Sequence, residues 1–242
     1  MVGIAFEGCA CRAAFHAGAA AAFAESKLPI TLAAGTSSGS LSAAALAAGR
    51  AADLPALWRA LAGRSIVSFR RAIWNRSLFD MSHLVRSALE SALGAVDLRD
   101  RPLEALVVAT RLRDWSPLVF SSRDEPRMLE PILGSCYLPP FYGRAIRVRG
   151  ELVVDGGFSD NLPIELLAAR GADEVVAVVT SPRGTALKSP LRPFWVPAVA
   201  GKRVHVVHPE RPLEIGAWDF SGDRMNRAID EGYRRARDLI GA

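Results

Sequence analysis

The segment GTSSG, residues 35–39, places Ser37 between two small-residue positions and directly before an alanine-rich stretch of helix-forming composition. The pattern GxSxG is typical of a tight turn from a strand into a helix, because Gly35 and Gly39 let the backbone fold sharply around an exposed serine. The N-terminus of the following helix favours negative charge at the serine oxygen. Ser37 is therefore a candidate nucleophile. The neighbouring Ser38 would lie in the first turn of the helix and lacks the flanking glycine pair.

A second group of small residues, GCACR, follows the first apolar run of the chain. Backbone amides that converge on one point can bind the oxyanion of an acyl transfer, and each donor contributes about 3 kcal/mol. An arginine in such a loop can hold its conformation or bind a phosphate. The loop predicts an oxyanion hole formed by Gly8, Cys9, Ala10, Cys11 and Arg12.

Two kinds of residue could accept the proton of Ser37. Asp155 ends an apolar run and precedes Gly156 and Gly157, which permit a sharp turn at a strand end. His205 or His208 would instead give the chain order Ser, Asp, His of an α/β-hydrolase triad. The early position of the serine, after what reads as the second strand, disfavours the triad and leaves a Ser37/Asp155 dyad as the simpler hypothesis.

Alternating apolar runs and helical stretches predict an α/β fold with a mainly parallel central sheet and helices on both faces. No linker or internal repeat is evident, so residues 1–242 are predicted to form a single domain. Strands are predicted at 1–5, 28–35, 102–110, 118–121, 151–154, 174–180 and 203–207. Helices are predicted at 13–26, 38–48, most of 53–93, 125–133, 163–170 and 222–240, and residues 181–201 read as an irregular loop.

The amino-acid composition argues against several classes of function. The chain has 30 basic and 25 acidic residues, without a nucleic-acid-binding motif or a dense basic block, so no nucleic-acid partner is expected. Three cysteines, Cys9, Cys11 and Cys136, lack metal-ligand spacing and fit a reducing compartment. Apolar runs are too short for a membrane span, and no secretory signal is recognised. We expect a cytoplasmic protein that needs no metal or other cofactor.

Four blocks in this chain resemble, in the same order, those of the patatin-like phospholipases: GCACRAAFHAG, GTSSG, SCYLPPFYG and VDGGFSDNLP. They extend from about residue 4 to residue 180, and the end of the chain matches only loosely. The first and last blocks look most similar to the neutral-lipase branch that includes adipose triglyceride lipase. In the first block Phe15 replaces a tyrosine of that branch, while His16 and Gly18 match.

This resemblance implies a three-layer patatin-like fold and a serine acyl hydrolase, with Ser37 as nucleophile and Asp155 as general base. It also implies that amides around Cys9, Ala10 and Cys11 bind the oxyanion. The sequence departs from the family pattern at Ala10 and Ala13, where the family has glycine. An alanine at a position that needs positive φ costs about 1 kcal/mol or more and could misdirect an amide.

The expected reaction is hydrolysis of a lipid or fatty-acyl ester through an acyl-enzyme. Contact with a membrane or lipid-droplet surface is expected through FRRAIWNRSLF, residues 69–79, and LRPFWVP, residues 191–197, which mix arginine with aromatic side chains. An alternative is a lipid- or protein-binding module that turns over poorly because of Ala10 and Ala13. A triad esterase using His205 or His208 is the third hypothesis. The sequence does not indicate an oligomeric state.

Overall fold

The computed structural model describes residues 1–63, 86, 90, 93, 96–125, 127–139, 146–189, 192–196 and 202–241. In this part of the chain the strands are β1 (Val2–Phe6), β2 (Ile30–Thr36), β3 (Glu104–Arg111), β4 (Pro117–Ser121), β5 (Ile146–Val148), β6 (Glu151–Val154), β7 (Glu174–Val178), β8 (Thr185–Ser189), β9 (Arg192–Trp195) and β10 (Arg203–Val207). The helices are α1 (Ala14–Ala24), α2 (Ser38–Ala47), α3 (Leu54–Ala60), α4 (Leu129–Ser135), α5 (Ile164–Ala169) and α6 (Gly222–Gly241).

Eight of the described strands form the central sheet, in the order β10-β7-β1-β2-β3-β6-β5, with β4 paired to β3. The strands from β10 to β3 run parallel, whereas β4, β5 and β6 pair antiparallel. Helix crossovers are needed between parallel strands, and α1 and α2 provide the first two. The predicted α/β class with a mainly parallel sheet is confirmed.

Alternate residues of the buried strands pack against opposite layers, as the period of a strand requires. Ile4 and Phe6 belong to the larger core, which α1, α2 and α6 cover, while Ala5 belongs to a smaller core that Ile164 and Leu167 of α5 cover. Because both faces of the sheet are covered, the strands are apolar almost throughout. Helices on both faces are therefore confirmed as well.

The C-terminal helix packs closely on the first one. A Cβ atom at Gly18 would lie 1.9 Å from the carbonyl oxygen of Ile229, and one at Gly232 would lie 1.9 Å from that of Phe15. The two glycines thus let the backbones of α1 and α6 come into contact. The apolar face predicted for residues 222–240 is the one that packs here, with Met225, Ile229 and Ala236 buried.

Several sequence predictions differ from the structure. Residues 181–201 were expected to be irregular, but β8 and β9 pair antiparallel within them. The alternating pattern is weak there because β9 contains a proline and the pairing of the two strands has a register shift. Strand β5 was not predicted, since three residues give too short a pattern. The helix expected at 125–133 lies at Leu129–Ser135.

The long helical stretch predicted for 53–93 can be checked only in part. Helix α3 lies at its start, but most of the stretch, including residues 69–79 of the expected membrane-binding surface, falls outside the described residues. Among the described residues, no helix combines the length and apolar character needed to cross a bilayer.

Candidate active site

The site lies where the ends of two strands meet along β3. Thr36, the last residue of β2, pairs with Val108, and Val154, the last residue of β6, pairs with Thr110. Strand β4 pairs with the same stretch of β3, so it occupies the opposite edge. Strands β2 and β6 therefore run toward each other along one edge of β3. The residues that follow these two strands, Ser37 and Asp155, therefore lie at about the same position along β3.

Ser37 forms the sharp turn that the GxSxG pattern predicts. Its backbone angles are φ 52° and ψ −129°, which a residue with a side chain adopts only under strain. A Cβ atom at Gly35 would lie 2.4 Å from the carbonyl oxygen of Gly39, and one at Gly39 would lie 2.5 Å from that of Phe6. Glycine is thus required at both positions, and α2 begins immediately after the turn.

Hydrogen bonds at its side chain, amide and carbonyl oxygen fix this strained serine. Its Oγ donates to Oδ2 of Asp155 at 2.7 Å, so the predicted contact between these side chains is confirmed. Its amide donates to Oγ of Ser135 at 2.7 Å, and its carbonyl oxygen accepts from Oγ of Ser40. The buried hydroxyl of Ser135 in turn donates to the carbonyl oxygen of Val108 at 2.5 Å. Ser135 therefore ties the turn to β3.

Asp155 is held on its other side by the short turn that follows β6. Its Oδ1 accepts from the amide of Gly157 at 2.8 Å, and its carbonyl oxygen accepts from Oγ1 of Thr110 at 2.8 Å. A Cβ atom at Gly156 would lie 2.1 Å from the carbonyl oxygen of Val108, so only glycine lets the turn approach β3 this closely. Burial raises the pKa of Asp155 to about 6, although the hydrogen bonds from Ser37 and Gly157 oppose this rise.

The loop after β1 differs in detail from the oxyanion hole that the sequence predicts. The amide of Gly8 donates to the carbonyl oxygen of Asn161, that of Cys9 to Oγ of Ser38, that of Cys11 to the carbonyl oxygen of Ala217, and that of Arg12 to the carbonyl oxygen of Cys9. These four amides are thus used within the protein. Ala10 is the remaining member of the predicted set, and its amide has no acceptor among the described residues.

The backbone of Ala10 is strained, as expected for an alanine at a position where the family has glycine. Its φ is 53°, in the left-handed region that favours glycine. Ala13, the other departure from the family pattern, has φ −65° and needs no glycine. The two substitutions therefore have different structural consequences, and the strain is at Ala10.

Comparisons with known proteins place the chain in a family. The family model for patatin-like phospholipase matches residues 4–168, more than half of the chain. The chain belongs to this family.

Solved structures share the family's fold at low sequence identity. One is VipD from Legionella pneumophila, with a TM-score of 0.55 and 13% identity over 99% of this chain and 66% of that one. Another is human GIVD cytosolic phospholipase A2 in complex with methyl γ-linolenyl fluorophosphonate, with a TM-score of 0.53 and 12% identity over 100% of this chain and 58% of that one. The chain thus spans less than two thirds of the length of both structures. No curated protein matches it in sequence.

Neither candidate histidine reaches the Ser37/Asp155 pair. His205 lies within β10, an edge strand three positions from β2, which corresponds to about 14 Å at the usual strand spacing. Its Nε2 lies 2.8 Å from Oε1 of Glu174. His208 follows the same strand, and its Nδ1 lies 2.9 Å from the carbonyl oxygen of Pro209. The arrangement favours the dyad over the Ser–Asp–His order.

Sequence reasoning missed three residues that position the family's motifs. Ser135 binds the Ser37 amide, and Ser38 binds the Cys9 amide with its Oγ 3.2 Å away. Asn161 donates from Nδ2 to the carbonyl oxygen of Gly8 and accepts from the Gly8 amide. Each lies in a block that carried the resemblance, which was the available signal. Their partners lie in other blocks, so sequence alone could not assign the contacts.

Proposed function

We propose that this chain is a lipid acyl hydrolase that cleaves carboxylic esters, with Ser37 as nucleophile and Asp155 as general base. The observation that carries the proposal is the 2.7 Å hydrogen bond from Ser37 Oγ to Asp155 Oδ2 at a serine held with φ 52°. A nucleophile within hydrogen-bond reach of its base, in a strained turn before a helix, is the arrangement that serine acyl hydrolases need.

In the first half of the reaction, Ser37 Oγ attacks the ester carbonyl carbon as its proton passes to Asp155 Oδ2. The tetrahedral oxyanion is held by the Ala10 amide and by the amides of Ser38 and Gly39 at the start of α2, whereas the Ser40 amide is used by the carbonyl oxygen of Ser37. Collapse breaks the ester bond, and Asp155 gives its proton to the departing alcohol. The acyl group stays on Ser37.

In the second half, Asp155 takes a proton from a water molecule that attacks the acyl carbon. The tetrahedral intermediate expels Ser37 Oγ, which recovers the proton from Asp155, and the fatty acid leaves. A carboxylate whose pKa lies near 6 is a stronger base than an exposed aspartate and is still ionised at neutral pH. Burial of Asp155 thus suits it to the role.

The family supports a lipid as substrate. The linolenyl fluorophosphonate in the human cytosolic phospholipase A2 complex supports a fatty-acyl group within such a fold. The neutral-lipase branch stays a prediction from motif detail. A cytoplasmic location is also proposed, supported by three cysteines that are buried as free thiols. A binding module with weak turnover is the second candidate, favoured by the strain at Ala10.

The test measures hydrolysis of p-nitrophenyl esters of graded chain length and of phospholipid vesicles. Ser37→Ala and Asp155→Asn should each lose at least about a thousandfold in kcat/KM, since each removes a partner of the proton transfer. Ser42→Ala is the matched control, because Ser42 is buried in the same helix α2 and its hydroxyl has no partner among the described residues. It should retain activity.

Labelling with a fluorophosphonate identifies the nucleophile independently of substrate choice. Mass spectrometry should find the label on Ser37 in wild type and no label in Ser37→Ala. Folded wild-type protein that stays unlabelled and inactive would favour the binding module. Loss of hydrolysis in His205→Ala or His208→Ala, with retained folding, would favour the triad instead.

A further inference from the structure

Exposed apolar side chains are concentrated on one side of the molecule. In the described part of the chain six large apolar side chains are exposed: Met1, Leu112, Trp115, Phe158, Leu187 and Trp218. Met1 precedes β1 and lies at the N-terminal end of this interior strand, away from the strand ends that carry Ser37 and Asp155. The other five require a common explanation, because exposing several large apolar groups together is unfavourable in water.

Strand ends and hydrogen bonds place these five residues at the same end of the sheet as the Ser37/Asp155 pair. Leu112 and Trp115 follow β3 at the end that receives Ser37 and Asp155. Phe158 closes the turn after Asp155. Leu187 lies in the hairpin beyond the end of β7, where its backbone hydrogen-bonds to Glu7, and Trp218 follows Ala217, whose carbonyl oxygen binds the Cys11 amide. We call Leu112, Trp115, Phe158, Leu187 and Trp218 the apolar rim.

Two of these side chains are held outward by the backbone and by each other. Trp115 is 55% exposed and has φ 59°, a conformation that costs free energy for an aromatic residue. Its ring contacts that of Phe158 edge to face, with centroids 5.5 Å apart. Phe158 donates its amide to the carbonyl oxygen of Asp155. Trp115 and Phe158 of the apolar rim are therefore continuous with the candidate active site.

The surroundings of Trp115 carry a small excess of positive charge. Leu112 donates its amide to Leu152, which pairs with Arg147 in the next strand, so the ends of β3, β6 and β5 lie side by side. The basic residues here are Arg111, Arg113, Arg149 and Arg147, which donates to the carbonyl oxygen of Gly150, and the acidic neighbours are Asp114, Glu125 and Glu151. Arginine beside exposed tryptophan suits the headgroup region of an anionic membrane.

We propose that the apolar rim docks onto the surface of a phospholipid bilayer that contains anionic lipid, and so brings the Ser37/Asp155 pair to its substrate. This inference rests on the proposed function, because a lipid ester in a bilayer is reached from its surface. Trp115, Phe158 and Leu112 enter the interface, while Arg113 and Arg147 contact lipid phosphates. The apolar contribution grows with buried area, and the charged one depends on the anionic lipid.

The experiment measures binding to vesicles by co-sedimentation, with Ser37→Ala in every protein so that no lipid is consumed. The vesicles are phosphatidylcholine alone or phosphatidylcholine mixed with phosphatidylglycerol. Adding Trp115→Ala and Phe158→Ala together should weaken binding to both about tenfold or more. Thermal unfolding of each variant shows whether it is folded.

Arg113 has a matched control at the opposite edge of the sheet. The Arg113 side chain is 73% exposed beside Asp114, and that of Arg203, at the start of β10, is 77% exposed beside Glu174. Arg113→Glu should weaken binding to the mixed vesicles about fivefold or more, whereas Arg203→Glu should not. A similar loss in both would mean that only net charge matters and would overturn the docking face.

Other outcomes would also overturn the proposal: no vesicle binding by the folded protein, or full binding by the Trp115→Ala/Phe158→Ala variant. So would a dimer in analytical ultracentrifugation that this double variant dissociates, because the rim would then face a second copy of the chain. Failure of the proposed function can be distinguished from failure of this docking proposal. It would appear as hydrolysis unaffected by Ser37→Ala, a result that leaves the binding measurements intact.

Discussion

At the scale of the residue, the chemistry of the site depends on burying one carboxylate beside one hydroxyl. Asp155 is almost inaccessible to solvent, so ionising it loses hydration that the hydrogen bonds from Ser37 and Gly157 replace only in part. Its pKa rises from 3.8 to about 6. This burial strengthens the base, and it also opposes folding when the carboxylate is ionised.

The raised pKa predicts a pH dependence of activity. Asp155 must be ionised to accept the Ser37 proton, so kcat/KM should fall about tenfold per pH unit below about 6 and level off above it. A soluble p-nitrophenyl ester provides the measurement. A profile that stays flat down to about pH 5 would contradict the assignment of Asp155 as the base.

The raised pKa of Asp155 also predicts how the stability of the fold changes with pH. Because folded Asp155 holds its proton to a higher pH than the unfolded chain does, the free energy of unfolding should fall as pH rises from about 4 to about 6, by up to about 3 kcal/mol. Burial also raises the pKa of Glu7, which adds a slope of the same sign. The difference between wild type and Asp155→Asn in denaturant titrations isolates the part due to Asp155.

Ala10 and Ala13 provide a matched pair for the strain in the oxyanion loop. Ala10→Gly should stabilise the protein by about 1 kcal/mol, because its φ of 53° suits glycine. Ala13→Gly should destabilise it by about 0.5–1 kcal/mol, because φ −65° suits alanine and glycine only adds freedom to the unfolded chain. Chemical denaturation measures both. Destabilisation by Ala10→Gly as well as by Ala13→Gly would show that the φ of Ala10 is not strained.

At the scale of the element, the turn between β2 and α2 is supported from another helix. Ser135, the last residue of α4, accepts the Ser37 amide and donates to Val108 in β3. Without it a buried amide and a buried carbonyl would each lose a partner. Ser135, the first residue of the SCYLPPFYG block, thus holds the Ser37 turn. Its place in that block did not by itself reveal this contact.

This support predicts that Ser135→Ala lowers both stability and kcat, because the Ser37 turn loses its anchor. The stability loss should be about 1–3 kcal/mol. Ser122→Ala is the control: Ser122 is equally buried and accepts the Ala105 amide at the other end of β3. It should lose similar stability and keep its kcat for a soluble ester. Equal kcat losses in the two variants would assign the effect to stability alone.

At the scale of the whole molecule, the fold brings together two side chains that lie 118 positions apart in the chain. Strand β6 points toward the end of β2 along β3 because the hairpin between β5 and β6 reverses the chain direction, so that β6 pairs antiparallel with β3. Strands β7 and β10 extend the same sheet beyond residue 168, where the family match ends. That residues 1–242 form a single domain stays a prediction.

The amino-acid sequence by itself determined the local features of this protein. Apolar runs followed by small residues predicted β1, β2, β3 and β6 to within a few residues, and GTSSG predicted the turn at Ser37. Such features depend on backbone sterics and on the period of side chains, both of which operate between residues close in the chain.

Only the tertiary structure decided which backbone amides of the oxyanion loop are left without a partner among the residues that the structure describes. The sequence placed five amides in the oxyanion loop, but Asn161, Ser38 and Ala217 come from distant segments and occupy three of them, and Cys9 occupies a fourth. It likewise decided that Ser135 anchors the turn and that the apolar rim lies at the end of the sheet that carries the site. A hydrogen bond or an exposed face depends on which segments the fold brings together, and no local pattern carries that information.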